Sequence, residues 1–436
     1  MNNVRGIDLM GYTETLEYIH NVKWQAVKPG LSRTRELLAA LGNPEQGLKF
    51  VHVAGTNGKG STAACISSVL RKAGYRTGLY ISPYIIRFNE RFQVDGAHIA
   101  DDELVRLTDE IRPIADAMAE PPTEFELITA IAMKHFYNQK CDIVVLEVGM
   151  GGELDSTNVI DTPEVAVITT ISLEHVKELG PEITDIARAK AGIIKAGGDV
   201  VVYGGLPEVE EVFERTCREK GARLQKTDFS RISRPVHTLE HSRFDFAPYG
   251  EITLPLAGTY QPRNAAVAVT ALEVLRAKGY AISDADIVDG LAAVNWPGRF
   301  ELLGRDPVFI LDGTHNPEGI EATAASLKSH FPGRKIVFII GVMADKDVDS
   351  MIAPIAVFAD AFYAVRPDYP RAMNTQTLAN KLSPYGAPVF IGETVASGVN
   401  EAIDRAGADG IVCAIGSLYF SGDIRSAYEG RARSHN

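Results

Sequence analysis

The chain has 436 residues, 45% hydrophobic and 23% charged, with a formal net charge of −12. That length allows two or three domains with ample core. The acidic balance excludes a general polyanion binder, so no nucleic-acid partner is expected; small anionic ligands need only local positive groups.

Short β-branched runs alternate with longer amphipathic stretches, which predicts an α/β fold with mainly parallel sheets. In the first part the expected strands are Lys49–Ala54, Thr77–Ile81, Asp142–Val148, Val165–Thr170 and Asp199–Tyr203. Helical patterns fall at Ala63–Arg71, Asp101–Ala119 and Phe125–Asn138, and another ends near Gly192. The stretch Thr227–Leu256 is polar and irregular, and reads as a small β excursion on the first domain. Pro and Gly in Asn295-Trp296-Pro297-Gly298 break regular structure, which puts a domain boundary there, with residues 1–296 before it and 297–436 after. A second alternating series follows, with strands Val308–Asp312, Lys335–Gly341, Ala361–Val365, Val389–Gly392 and Gly410–Ile415. It predicts a smaller Rossmann-like C-terminal domain.

Gly55-Thr56-Asn57-Gly58-Lys59-Gly60-Ser61-Thr62 stands between the first strand and a helix. Its glycines let backbone N–H groups turn inward around phosphate oxygens. Lys59 supplies positive charge for the outer phosphates and Ser61 a hydroxyl for Mg²⁺. The common phosphate loop has Gly five positions before Gly-Lys; here Val53 occupies that place and the nearest upstream glycine is Gly55. The compressed form points to a subset of ATP enzymes.

Glu147 ends an apolar strand before Gly149-Met150-Gly151-Gly152, where α/β sheets place ligands. It reads as a Mg²⁺ ligand facing the phosphate loop. His175 follows the next strand; a neutral imidazole can ligate a divalent metal, although a lone histidine there is more often a cap. Ser82 is placed to reach a metal and Arg91 a substrate anion. Asn158 lies in the polar loop after Glu147, where turn chemistry explains it equally well. A buried Lys190 beside metal would be disfavoured as a plain ammonium, which calls for a modification or a carboxylate partner. In the second domain Asp312-Gly313-Thr314-His315-Asn316-Pro317 directly follows a strand, and Arg299 stands at the hinge, placed to clamp a phosphate on closure.

Four cysteines (Cys65, Cys141, Cys217, Cys413) are scattered without a C-x-x-C pair, so neither a disulfide framework nor a zinc site is expected. Met1–Tyr12 has no apolar h-region and no apolar run is long enough to span a bilayer. The expectation is a cytoplasmic protein without a membrane partner.

Taken together, the sequence resembles the folylpolyglutamate synthase/dihydrofolate synthase family of the Mur-ligase superfamily, from about Tyr12 to Arg425. The blocks that carry the resemblance are Gly55–Thr62, Ser82-Pro83, Phe88–Arg91, Phe125-Glu126, Glu147–Asn158 and His175. They continue through Lys190–Ile193, Pro297–Arg299, Asp312–Pro317 and Gly416–Tyr419. The resemblance implies an ATP-dependent amide ligase that adds L-glutamate to a folate or dihydropteroate carboxylate through an acyl phosphate. A Mur-type ligase acting on a different carboxylate is the alternative. It implies that Lys59 and the loop amides hold ATP and that Ser61, Ser82, Glu147 and His175 organise one or two Mg²⁺ ions. Lys190 matches a lysine that family members often carry as a carbamate. Asn264 would contact the adenine end, Arg299 and Asp312 would complete the nucleotide site, and His315 would lie nearby. The folate substrate would lie against Pro29-Gly30-Leu31 and Thr123-Glu124-Phe125. A monomer is expected from the same resemblance. Three positions depart from the family pattern: Glu174 stands for Asp, Glu153 for Arg and Thr314 for Ala. Glu153 reverses a charge and bears on substrate preference more than on reaction class.

Overall fold

The structure, a computed structural model, describes residues 11–21 and 30–434. The first sheet contains β1 (Phe50–Ala54), β2 (Thr77–Tyr80), β3 (Phe92–Val94), β4 (Ala97–His98), β5 (Ile143–Glu147), β6 (Val165–Ile168), β7 (Asp199–Val202) and β8 (Arg223–Lys226). A small sheet follows from β9 (Ile232–His237), β10 (Ser242–Phe246) and β11 (Gly250–Leu254). The last sheet is β12 (Glu301–Arg305), β13 (Val308–Asp312), β14 (Ile336–Ile340), β15 (Ala359–Ala364), β16 (Val389–Ile391) and β17 (Ile411–Ile415).

The large sheet has the order β4-β3-β2-β5-β1-β6-β7-β8, and its pairs from β2 to β8 are parallel. β1 and β5, buried at every position, lie side by side at its centre, so the turns after Ala54 and Glu147 leave the same edge. The last sheet runs β12-β13-β17-β14-β15-β16, parallel except for β12. Its two faces bury different residues. Ile310, Phe338 and Ile340 join one apolar cluster, while Phe309, Leu311, Val337 and Ile339 join the other. That alternation is the period of two expected of strands covered by helices on both sides.

All ten expected strands form, with ends within two residues of the expectation. Three kinds of strand were not expected. The β3–β4 hairpin is three and two residues long, too short for a periodic signal. β8 is Arg-Leu-Gln-Lys, a polar edge, and β12 is an antiparallel edge containing Gly304. The helix expected from Ala63 begins at Lys59, because Gly58 at φ +82° caps it and the phosphate loop feeds straight into its first turn.

By contact the chain divides into two compact units. One holds residues up to Ser82, Asn89–Thr227 and Val267–Asp286; the other holds Pro83–Phe88, Asp228–Ala266 and Ile287 onward. The β9–β11 excursion therefore groups with the second unit, not the first as expected. The physical reason is local. Ala257 and Leu239 pack into the cluster of Phe300, Ile310 and Phe338, and Ala257 O lies 3.1 Å from His330 Nε2.

Candidate active site

The phosphate loop is fixed to the end of β6 by hydroxyls. Thr169 Oγ1 donates to Asn57 O at 2.7 Å, Thr170 Oγ1 accepts from Asn57 N at 3.3 Å, and Thr56 N donates to Thr170 O at 2.7 Å. A Cβ on Gly55, at φ +146°, would fall 1.8 Å from Thr169 Oγ1, so this close approach requires glycine. Gly60, Ser61 and Thr62 occupy the first turn of the helix Lys59–Lys72, where the helix dipole suits an anion; Thr62 N donates to Gly58 O at 2.9 Å. Lys59 Nζ donates to Thr56 O at 3.0 Å, which holds its charge over the loop. The donor set thus fits a polyphosphate.

Lys190 comes from the helix Ile183–Ala191 and is 3% exposed. Its ammonium donates to Gly55 O at 2.7 Å. Burial, then the charge of Lys59, brings its pKa down to about 7, with Glu174 and Asp155 opposing. A lysine this close to half-neutral at neutral pH is a nucleophilic amine as well as a cation.

Glu147 is buried at the end of β5, and its Oε2 accepts from Ser82 N at 3.1 Å. Ser61 is buried in the helix's first turn. A carboxylate and hydroxyls are the hard oxygen donors that Mg²⁺ takes, so these residues fit that ion. His175 has φ 52° and ψ 40° at the start of the one-turn helix Val176–Leu179, and its Nε2 lies 3.8 Å from Glu174 Oε1. That left-handed backbone is uncommon for a non-glycine residue, although histidine adopts it more readily than most.

The loop after Glu147 is packed tightly. A Cβ on Gly149 would lie 2.5 Å from the Phe125 ring, and one on Gly152 2.8 Å from Ala189 O. Asn158 Nδ2 donates to Glu153 O at 3.0 Å and Gly192 O at 3.2 Å, tying this loop to the end of the Lys190 helix. Glu153 has an exposed side chain, while its backbone N donates to Ala189 O at 2.8 Å. Thr123 and Glu126 form a capping box on the helix Glu124–Asn138, and Glu126 accepts both Arg33 Nε and Nη2 at 2.9 Å. Glu124 Oε1 lies 2.9 Å from His20 Nδ1. Arg91 is buried beside the Tyr80 hydroxyl, whose ionisation it favours against burial. Gly30 is half-buried just before the helix Ser32–Ala40; Pro29 lies outside the described residues.

In the second unit Asp312 is wholly buried at the end of β13. It accepts from Thr314 N (3.2 Å), Thr314 Oγ1 (2.9 Å) and Thr323 Oγ1 (2.7 Å). Burial raises its pKa, while Thr323, Arg299 and Thr314 pull it back. Arg299 also acts on Tyr260, so Arg299, Asp312 and Tyr260 form one electrostatic group. Thr314, where the family pattern has Ala, is a working ligand of Asp312. His315 Nδ1 lies 3.0 Å from Gly313 O, so Nδ1 donates to that carbonyl. Asn316 caps the helix Pro317–His330. Asn264 Nδ2 donates to Gln261 Oε1 at 3.0 Å.

Sequence reasoning missed Thr169, Thr170, Asp155, Thr157, His52 and Tyr260. The paired threonines at the end of β6 were the one legible signal, since hydroxyls at a strand end beside a phosphate loop have few other uses.

A compressed phosphate loop on a parallel sheet, followed by a doubly wound domain, defines a class of ATP-using ligase. Residues 53–272 match the Mur ligase middle domain and residues 298–418 the Mur ligase glutamate ligase domain. A Bacillus subtilis dihydrofolate synthase/folylpolyglutamate synthase is 38% identical over 429 residues, 95% of this chain and 98% of that protein. The Mycobacterium tuberculosis folylpolyglutamate synthase complexed with ADP superposes with a TM-score of 0.89 at 31% identity, covering 96% of this chain and 98% of that one. Escherichia coli FolC in complex with DHPP and ADP has a TM-score of 0.83 at 30% identity, covering 97% and 99%. The chain belongs to the dihydrofolate synthase/folylpolyglutamate synthase family.

Proposed function

We propose that this protein is an ATP-dependent ligase joining L-glutamate to a folate-type carboxylate, with dihydropteroate, reduced folates or both as acceptors. The observation that carries the reading is the buried Lys190 ammonium 2.7 Å from Gly55 O, inside a phosphate loop of the compressed form. Full-length likeness to named synthases supports the same reaction.

The substrate carboxylate attacks the γ-phosphorus of ATP, the bond to the bridging oxygen breaks, and ADP leaves an acyl phosphate. The glutamate amine then attacks the acyl carbon and phosphate departs. The first step joins two anions, so its barrier falls with positive charge and alignment. Lys59 and the loop amides are assigned that work; Arg299, Asp312 and Asn264 are assigned the nucleotide-binding roles that the family resemblance implies. Mg²⁺, held by Ser61, Ser82, Glu147 and His175, would neutralise phosphate charge. Lys190, with its pKa near 7, loses one proton to give a neutral amine, whose nitrogen can bond the carbon of CO₂ and release a second proton to solvent, so that a cation becomes an anionic carbamate. His315 Nε2 is assigned the proton of the incoming glutamate ammonium. Gly30, Arg91, Thr123, Glu124, Phe125 and Asn158 are assigned to the folate substrate. We infer a domain boundary at residues 296/297, inside the gap from 272 to 298 between the two matched family models, although by contact Asp228–Ala266 and the residues from Ile287 already group with the second unit. We further infer a cytoplasmic monomer; the four unpaired, buried cysteines suit a reducing compartment.

The test is ADP release measured with dihydropteroate and with tetrahydrofolate separately, each with and without L-glutamate. Glutamate-dependent release with at least one acceptor is expected. Release that ignores glutamate, or that requires an unrelated carboxylate, overturns the assignment.

A further inference from the structure

β1 is apolar except for His52, which is wholly buried. Its Nε2 lies 2.9 Å from Thr157 Oγ1. That hydroxyl donates its proton to Asp155 Oδ1 at 2.5 Å, so its oxygen must accept from an Nε2–H on His52. Burial keeps the imidazole neutral, with a pKa pushed down to about 3. Asp155 in turn accepts Thr157 N at 3.0 Å on Oδ1 and Met150 N at 2.9 Å on Oδ2. The result is a directed relay from the middle of β1 to the backbone of the turn that follows Glu147. That turn has little lateral freedom, because Gly149 abuts Phe125 and Gly152 abuts Ala189. His52 Nδ1 is buried without a hydrogen-bond partner, so the chain is held only from Nε2 onward, where the links to Thr157, Asp155 and Met150 N are all made.

We propose that His52 is a positioning residue which, through Thr157 and Asp155, fixes the Gly149–Gly152 turn and thereby aims the Glu147 carboxylate at a divalent cation. This rests on the assignment of Glu147 as a metal ligand. Partners one step behind a ligand commonly set its affinity by orienting it.

The test uses His52→Leu, Thr157→Val, their double variant and His52→Gln. A glutamine Nε2 is reached through the same number of bonds as the histidine Nε2 and can donate to Thr157. Mn²⁺ binding in the presence of ADP is read by electron paramagnetic resonance, and metal-free ADP binding by calorimetry. Loss of Mn²⁺ affinity of about 10-fold is expected in each of His52→Leu and Thr157→Val. Metal-free ADP binding should be unchanged, and His52→Gln should recover most of the loss. The double variant should be no worse than either single one, since both cut one chain. A folded His52→Leu with unaltered Mn²⁺ affinity, or additive losses in the double variant, overturns the proposal. If His52→Leu does not fold, Thr157→Val decides in the same way. Wild-type protein that binds no Mn²⁺ with ADP overturns the Glu147 assignment itself, whereas normal wild-type binding with indifferent variants overturns only the role of His52.

Discussion

In the first unit Lys190 reaches Gly55 O across 135 positions of sequence, and His52 reaches Thr157 across 105. In the second unit Asp312 is held by Thr314 and Thr323, two and eleven positions along. The phosphate-loop site is thus assembled from β1, the ends of β5 and β6, and a separate helix. The Asp312–Pro317 turn is nearly self-contained, built by one strand end and the helix it caps. Remote assembly puts charged groups deep among backbone carbonyls and shifts their ionisation. Local assembly satisfies a buried carboxylate with neighbours the chain supplies automatically.

Three variants would break or sharpen this contrast. The largest effect is expected from Lys59→Ala, which removes the loop's outer positive charge while its amides remain. Turnover should fall by about 10²–10³-fold, the range seen when one preorganised electrostatic contact is removed. A variant that makes ADP and glutamylated product at the normal rate would sink the role given to the loop. Next comes Asp312→Asn. The amide retains one acceptor but presents an NH₂ group where Asp312 Oδ1 or Oδ2 now accepts, leaving a buried mismatch worth about 1–3 kcal/mol. Denaturant unfolding should register that loss, and an unchanged midpoint would show that the turn does not depend on the carboxylate.

An effect of similar size concerns Lys190→Met, compared with wild type across pH in CO₂-free buffer. The folded-state pKa, near 7, lies below the ordinary value of 10.5. Folding therefore resists protonation of this amine. The neutral lysine is tolerated fully above about 10.5, stability is lost as pH falls toward 7, and the penalty is constant below that. Wild type should thus lose stability relative to Lys190→Met between pH 9 and pH 7, but not between pH 6 and pH 5. A pH-independent difference would mean that Lys190 is not desolvated in solution.

Much of the fold was legible because both signals used are short-range. Apolar runs such as Ile143–Leu146 must be buried wherever they lie, and Gly-Lys after a strand turns the chain into a helix whatever surrounds it. The β3–β4 hairpin and the polar β8 were not legible, since two to four residues at a sheet edge carry no period and take their pairing from the neighbouring strand. The β9–β11 excursion was recognised as irregular, yet its grouping depended on Ala257 and Leu239 finding the Phe300 cluster. At the site, Lys59 stood out through its glycine-rich loop, and Glu147 and Asp312 because each is a carboxylate closing an apolar strand. His52 and Thr157 gave no such signal: a histidine inside a strand and a threonine inside a polar loop are each unremarkable until they meet.

The sequence by itself determined the class of chemistry. A compressed glycine-rich loop, a strand-end carboxylate and a second strand–turn series are local patterns, and their physics holds before any folding. The tertiary structure alone decided that Lys190 lies desolvated against Gly55, which lowers its pKa, and that His52, Thr157 and Asp155 join in one hydrogen-bonded chain ending on Met150 N. Ionisation and hydrogen-bond direction depend on which distant groups share the same buried volume, and only the packing of the sheet against its helices sets that.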